Sequence, residues 1–223
     1  MILKAEGVSR IYYRQGSGTN FFTAVEKTDF TACPGQLIEI VGRSGSGKTT
    51  FVNMLAGLLT PTEGRVLLDD EDIYALDDDK RSIIRNKSIG IIPQGQTGIA
   101  SFTVIDNVLA PAAMYGDPEK RRERAADLLK MMDIDGLCNV YSNELSGGEL
   151  RRMAIARALI NDPQIIIADE PTGDLDDDTT EMVLALLKRC SQDGACVIMV
   201  THETAALEYA DTVYRMDKGI LKL

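Results

Sequence analysis

The stretch Gly42-Arg43-Ser44-Gly45-Ser46-Gly47-Lys48-Thr49 fits the phosphate-cradling pattern G-x-x-x-x-G-K-S/T at every fixed position. It constrains the fold more than any other stretch because of its flanks. A strand-like run, Leu37 to Val41, leads in, and a helical one, Thr50 to Leu59, leads out. In that context the glycines let the backbone wrap round a polyphosphate, with successive N–H groups turned inward. The helix that follows aims its positive end at the same anion. Lys48 then reaches the β- and γ-phosphates, and the Thr49 hydroxyl is placed to ligate Mg2+. The pattern implies a bound nucleoside triphosphate and a sheet that carries the loop.

The rest of the chain reads as strands and helices in alternation. Leu3 to Val8 and Phe21 to Phe30 have strand content, with a turn at Gly16-Ser17-Gly18 between them. Cys33-Pro34-Gly35 turns the chain into the run before the phosphate loop. Pro61 to Gly64 is a turn before a strand at Arg65 to Leu68. Asp69 to Asp79 is acidic and loop-like, with Asp77 placed to cap a helix. Ser88 to Ile92 is a buried strand stopped by Pro93. From Val104 to Leu145 the pattern is helical: Val104 to Met114, then Pro118 to Met132 behind a capping Asp117. This region, about residues 95–145, is expected to be a helical subdomain inserted in an α/β core. Further on come a helix from Gly147 to Ile160, a strand at Ile165 to Ala168, a helix at Thr179 to Ser191 and a strand at Ala195 to Val200. A short helix near Thr204 to Tyr209 and strands at Thr212 to Met216 and Ile220 to Leu223 complete the pattern. Such alternation implies one domain on a mostly parallel sheet covered on both faces.

At 223 residues the chain suits a single core with a subdomain. The net charge of -10 argues against a nucleic-acid partner, because neutralising phosphates takes clustered Lys and Arg. The locally basic stretches, Lys80 to Lys87 and Lys120-Arg121-Arg122, read as solvated helix faces. Cys33, Cys138, Cys190 and Cys196 have neither paired nor metal-ligand spacing and read as small apolar residues. No run approaches the ~20 apolar residues of a membrane helix, and no leader-like stretch opens the sequence. A soluble, cytoplasmic chain is expected, with any membrane role supplied through a partner.

Two further motifs carry chemistry. Ile165-Ile166-Ile167-Ala168-Asp169-Glu170 is an apolar strand ending in two acids, and nucleotide-binding sheets place their sites at the carboxyl ends of strands. Asp169 is placed to hold Mg2+, and Glu170 to orient or deprotonate an attacking water. Leu145-Ser146-Gly147-Gly148-Glu149 opens a helical segment. Ser146 is placed to cap it, and the glycines allow close approach to an anion. This makes a second phosphate-binding helix start. One nucleotide needs one such cradle, so the second suggests a nucleotide shared between two copies.

Together these residues resemble an ATP-binding-cassette (ABC) ATPase over essentially the whole chain. Leu145 to Glu149 matches the family's signature loop LSGGQ, with Glu149 in place of Gln. Gly42 to Thr50 is similar to its Walker A, and Ile165 to Glu170 to its Walker B with the adjacent catalytic Glu. Gln94 stands where the family has its Q-loop glutamine, and Gly173-Asp174-Leu175-Asp176 resembles the D-loop. His202 matches the switch histidine and is the only histidine of the chain. Tyr12 matches the aromatic that stacks on adenine, with Tyr13 as the alternative.

The resemblance implies a P-loop NTPase core of mostly parallel strands flanked by helices. It adds an N-terminal antiparallel β subdomain and the inserted helical subdomain. It also implies a head-to-tail homodimer around two MgATP. Gly42, Arg43, Ser44, Gly45, Ser46, Gly47, Lys48, Thr49 and Thr50 of one copy would face Ser146, Gly147, Gly148 and Glu149 of the other, with Asp176 beside them. Thr49, Gln94 and Asp169 would serve Mg2+, Glu170 would activate water, and His202 would sense the γ-phosphate. ATP bridging would favour the closed dimer, and hydrolysis would release it.

Thr103 to Val108 and Pro171 to Asp176 are similar to the macrolide-exporter and lipoprotein-release group, whose ATPases pair with a separate transmembrane permease subunit. The resemblance implies a chain held at the inner face of the membrane by that permease, powering an exporter. The cell-division ATPase subunit is a relative that transmits force without a transported substrate. Two departures stand out. Pro93 and Gly95 to Ala100 surround Gln94 where the group carries aromatics, and Tyr141-Ser142-Asn143 lacks a proline before the signature.

Overall fold

The computed structural model describes residues 1–13, 21–95, 97–201 and 204–223. The first half of the chain folds as β1 (Leu3–Tyr13), β2 (Phe21–Ala32), β3 (Leu37–Val41), α1 (Lys48–Leu55), β4 (Glu63–Leu68), β5 (Glu71–Asp72), α2 (Asp78–Ser88), β6 (Ile89–Ile92) and α3 (Val104–Tyr115). The second half adds α4 (Arg122–Met131), α5 (Gly147–Leu159), β7 (Ile165–Asp169), α6 (Asp177–Gln192), β8 (Cys196–Val200), β9 (Thr212–Asp217) and β10 (Ile220–Lys222).

Two sheets organise these elements. One has the order β2-β1-β4-β5 and is antiparallel throughout. The other has the order β10-β9-β3-β8-β7-β6, with every pairing parallel except β10 with β9. The expected antiparallel N-terminal sheet and mostly parallel core are both present. The short strands expected before residue 40 are longer, at 11 and 12 residues, because β1 and β2 pair along nearly their whole length through register shifts. The turn expected at Gly16-Ser17-Gly18 lies outside the described residues.

β7 and β8 are buried at every position, as strands covered on both faces must be. Successive side chains point to opposite faces, and each face feeds its own core. Ile38, Ile40, Ile165, Ile167 and Ile198 pack with Phe51, Met54 and Leu55 of α1 and the inner face of the antiparallel sheet. Leu37, Ile166, Ala168, Val197 and Met199 pack with apolar residues of α3, α4, α5 and α6. Helices α3 and α4 thus share a continuous core with one face of the parallel sheet. Glu39 lies on β3 opposite Met199 and Val213, fully buried, and neither carboxylate oxygen has a hydrogen-bond partner. Burial pushes its carboxyl up to about 7.

Local chemistry sets the helix starts. Asp77 accepts from the Lys80 N–H at 2.8 Å, so the segment expected to be loop-like to Asp79 already begins α2 at Asp78. The single helix expected from Pro118 to Met132 is a 3-10 turn, Pro118–Arg121, followed by α4. Thr103 and Asp106 form a reciprocal capping box on α3. The unusual segment after Gln94 is pinned by its own chain. Buried Asn107 accepts the Ile99 N–H at 2.8 Å and donates to the carbonyls of Ile99, Phe102 and Thr103. Ser142 donates to the Ile99 carbonyl, and Arg157 to the Thr97 hydroxyl, each at 2.8 Å.

Candidate functional site

Because β3, β8, β7 and β6 are neighbours and parallel, their carboxyl ends come out along one edge of the sheet. Gly42 follows β3, Gln94 follows β6 by one residue, and Glu170 follows β7. An open cleft of about 380 Å3 lies there, lined by Ser44, Gly45, Gly47, Lys48, Thr49, Thr50, Gln94 and Glu170, with Tyr12, Phe22 and Ala24 from the antiparallel sheet.

The loop has the cradle form. Gly47 takes a φ of 108° as α1 begins, and a Cβ there would sit 2.2 Å from the Ala24 carbonyl oxygen. A Cβ on Gly42 would sit equally close to the Met216 carbonyl oxygen, at 2.2 Å. Only glycine lets the loop pass between β2 and β9 at this distance. Lys48 is 7% exposed, and its ammonium donates to the carbonyls of Gly42 at 2.7 Å and Arg43 at 3.1 Å, so it curls over the loop it would serve. Ser46 is buried and its hydroxyl lacks a partner, while its N–H donates to the Arg43 carbonyl.

The acidic side of the cleft is built from three strand ends. The Gln94 side-chain amide donates to the Glu170 carboxylate at 3.1 Å. Glu170 has a φ of 51°, and its N–H donates to the Val200 carbonyl at 2.7 Å, which turns the chain sharply out of β7. The Thr49 hydroxyl hydrogen-bonds the Asp169 carboxylate. Asp169 is 5% exposed, and its Oδ1 has no hydrogen-bond partner. Burial holds its carboxyl above the usual range, and the adjacent Glu170 charge adds to this, against the pull of the Thr49 bond. A buried carboxylate oxygen left without a donor, beside a hydroxyl and a side-chain amide, is a hard-oxygen set suited to Mg2+.

Tyr12 and Phe22 face each other across the β1–β2 pair at the mouth of the cleft. The Arg10 guanidinium lies 4.8 Å from the Tyr12 ring centroid, and its Nη1 donates to the Thr60 carbonyl at 2.9 Å, so the ring is braced from behind. Tyr13, the alternative to Tyr12, does not line the cleft and is 81% exposed.

The remaining predicted residues are elsewhere. Ser146, Gly147, Gly148 and Glu149 form the start of α5 and do not line the cleft of their own chain. The Glu149 carboxylate accepts from both the N–H and the hydroxyl of Ser146 at 2.7 Å, and these bonds hold it below the usual range. Asp176 caps α6, accepting from the Thr179 N–H at 2.9 Å and hydroxyl at 2.8 Å. Its carboxyl is lowered by the same bonds. His202 lies outside the described residues. Sequence reasoning missed Phe22 and Arg10. Strand register brings in Phe22, and no local pattern marks Arg10.

The family model described as ABC transporter matches residues 25–173. The lipoprotein-releasing system ATP-binding protein LolD of Hyphomonas neptunium is 37% identical over 222 residues, covering 99% of this chain and 96% of that protein. The macrolide export ATP-binding/permease protein MacB of Bartonella henselae is 38% identical over 204 residues, covering 91% of this chain and 31% of that longer protein. The dimeric structure of the bacterial ABC transporter cassette MJ0796 superimposes with a TM-score of 0.92 at 35% identity, covering 99% of this chain and 97% of that one. Its post-hydrolysis state bound to ADP and Pi does so at 0.91. A strand–loop–helix cradle, a glutamine-tethered acidic strand end and the match in family, sequence and fold agree: the chain belongs to the ABC transporter family, as an ATP-binding cassette that hydrolyses ATP.

Proposed function

We propose that the cleft holds MgATP and that each chemical role falls to the residue placed for it. The observation that carries this reading is the tether of Gln94 to Glu170 beside an Asp169 oxygen that lacks a donor. Tyr12 stacks on the base. The amides of residues 43–50 and the Lys48 ammonium take the phosphates. Thr49, Asp169 and Gln94 supply the oxygens that hold Mg2+, which neutralises phosphate charge when bound. Glu170 orients and deprotonates the attacking water, and His202 contacts the γ-phosphate.

The cleft is open, and Ser146 to Glu149 are not among the residues that line it. Both facts support a site completed by a second copy, related head-to-tail. Each nucleotide then lies between one copy's phosphate loop and the other's Ser146-Gly147-Gly148, with Asp176 close by. The stretch after Gln94, Gly95 to Ala100 of the inserted helical subdomain (about residues 95–145), carries the surface for a separate transmembrane permease. Among the described residues no helix is long and apolar enough to cross a membrane, which supports attachment through such a partner. The reading is a cytoplasmic cassette, peripheral at the inner face of the membrane, that powers an exporter. The net charge of -10 supports the absence of a nucleic-acid partner.

The test is the size of the Glu170→Gln variant by light scattering with and without MgATP. A shift from monomer to dimer on adding MgATP is expected. A monomer throughout, with the permease also present, would overturn the shared site.

A further inference from the structure

We propose that Arg151 is a positioning residue for hydrolysis: it fixes the Pro93–Gln94 peptide so that the Gln94 amide meets Glu170. The inference rests on the proposed roles of Gln94 and Glu170.

Arg151 sits on α5, five residues beyond the capping Ser146, and is 3% exposed. Its Nη1 donates to the Pro93 carbonyl at 2.9 Å, and its Nε has no hydrogen-bond partner. Among the described residues it forms no ion pair. Its charge also acts on the nearby buried Asp169 carboxylate, and a buried guanidinium costs more than an apolar side chain in the same place, so packing alone does not account for it. Its hydrogen bond to Pro93 is specific. The Pro93 carbonyl belongs to the planar peptide whose other end is the Gln94 N–H, so holding that oxygen sets the plane from which the Gln94 side chain departs. The Gln94 amide then reaches Glu170 at 3.1 Å.

The same guanidinium borders the second loop of the site. Its Nη2 lies 3.6 Å from where a Cβ on Gly173 would stand, and the Gly173 N–H donates to the Glu170 carbonyl at 3.3 Å. Arg151 therefore touches the chain that follows β6 and the chain that follows β7 at once. A shift of α5, whose first turn carries Ser146, is transmitted to Gln94 through this side chain.

The test is steady-state ATPase kinetics on Arg151→Met, Arg151→Lys, Gln94→Ala and the Arg151→Met/Gln94→Ala pair, read well below each melting temperature. Arg151→Met is expected to lower kcat about 10- to 100-fold, with KM for ATP within about two-fold. Arg151→Lys keeps a donor for the Pro93 carbonyl and is expected to recover most of the loss. In the Gln94→Ala background, removing Arg151 is expected to change kcat less than about two-fold, because the two act in series. A kcat for Arg151→Met equal to the parent's, no recovery with Lys, or losses that multiply in the pair would each overturn the inference alone. An unchanged kcat for Gln94→Ala would instead overturn the reading of Gln94, and this inference with it. Should Arg151→Met not fold, Arg151→Gln takes its place in the same cycle, with the same expectations.

Discussion

The Gln94 amide and the Glu170 carboxylate meet at 3.1 Å although 76 positions separate them in sequence. They meet because β6 and β7 are adjacent parallel strands that end together. Glu170 lines the cleft, where the proposed role has it activate a water that attacks the γ-phosphate. Glu170→Gln keeps the size of the side chain and removes its basicity. We expect turnover to fall about 100-fold or more, with ATP affinity retained. Equal turnover in the variant, measured by phosphate release, would remove Glu170 from the mechanism.

Lys48 spends its hydrogen bonds on the carbonyls of Gly42 and Arg43. Lys48→Ala leaves both partly buried acceptors short of a donor and takes away the cation proposed to take the phosphates. We expect ATP affinity to fall at least tenfold and the loop to lose about 1–3 kcal/mol of stability. Titration calorimetry reads the first and urea unfolding the second. Parental ATP affinity would argue against the cradle.

Gly47→Ala forces a Cβ to within 2.2 Å of the Ala24 carbonyl oxygen at a φ of 108°. Gly45→Ala meets no atom within 4 Å, though its φ of 75° is also left-handed. We expect the first to lower the melting temperature by several degrees more than the second. Equal melting temperatures would show that backbone strain, not the clash with β2, sets the cost.

Glu39 gives the fold a pH dependence. Its carboxyl keeps a proton to about pH 7 in the folded chain, against 4.5 for an ordinary Glu. Between those values the folded state holds the extra proton, so stability falls as pH rises. Its contribution is fully present below pH 4.5 and lost through pH 7, about 3 to 4 kcal/mol. Glu39→Gln is expected to flatten the decline seen in urea unfolding between pH 5 and 8. An equally steep decline in the variant would place the titrating group elsewhere.

Much of the site could be read without coordinates wherever a local interval carries the chemistry. Gly42 to Thr49 declares its loop, because glycine spacing, lysine and hydroxyl all act within one turn. Asp77, Asp117 and Ser146 declare helix starts, because a cap bonds a residue two or three positions on. Asp169 and Glu170 declare a strand end, because they close a run of apolar residues.

Other features have no local signature. Phe22 joins Tyr12 at the cleft through a strand pairing with shifted register, which no count along the chain predicts. The helix expected from Pro118 to Met132 breaks into two parts, a difference of hydrogen-bond pattern that side-chain periodicity does not encode.

What the sequence determined alone is local: a glycine-rich loop with its lysine, an acidic strand end, a capped start for α5 and the alternation that makes a parallel sheet. What only the tertiary structure decided is which of these meet. The order β3-β8-β7-β6 brings Lys48, Gln94, Asp169 and Glu170 to one edge and leaves Ser146 out of the cleft. It also puts Arg151 against Pro93, 58 positions away, and buries Glu39 in the centre of the sheet. Contacts of that range come from strand order and packing. They depend on the whole chain at once, where a cap or a loop depends on a few neighbours.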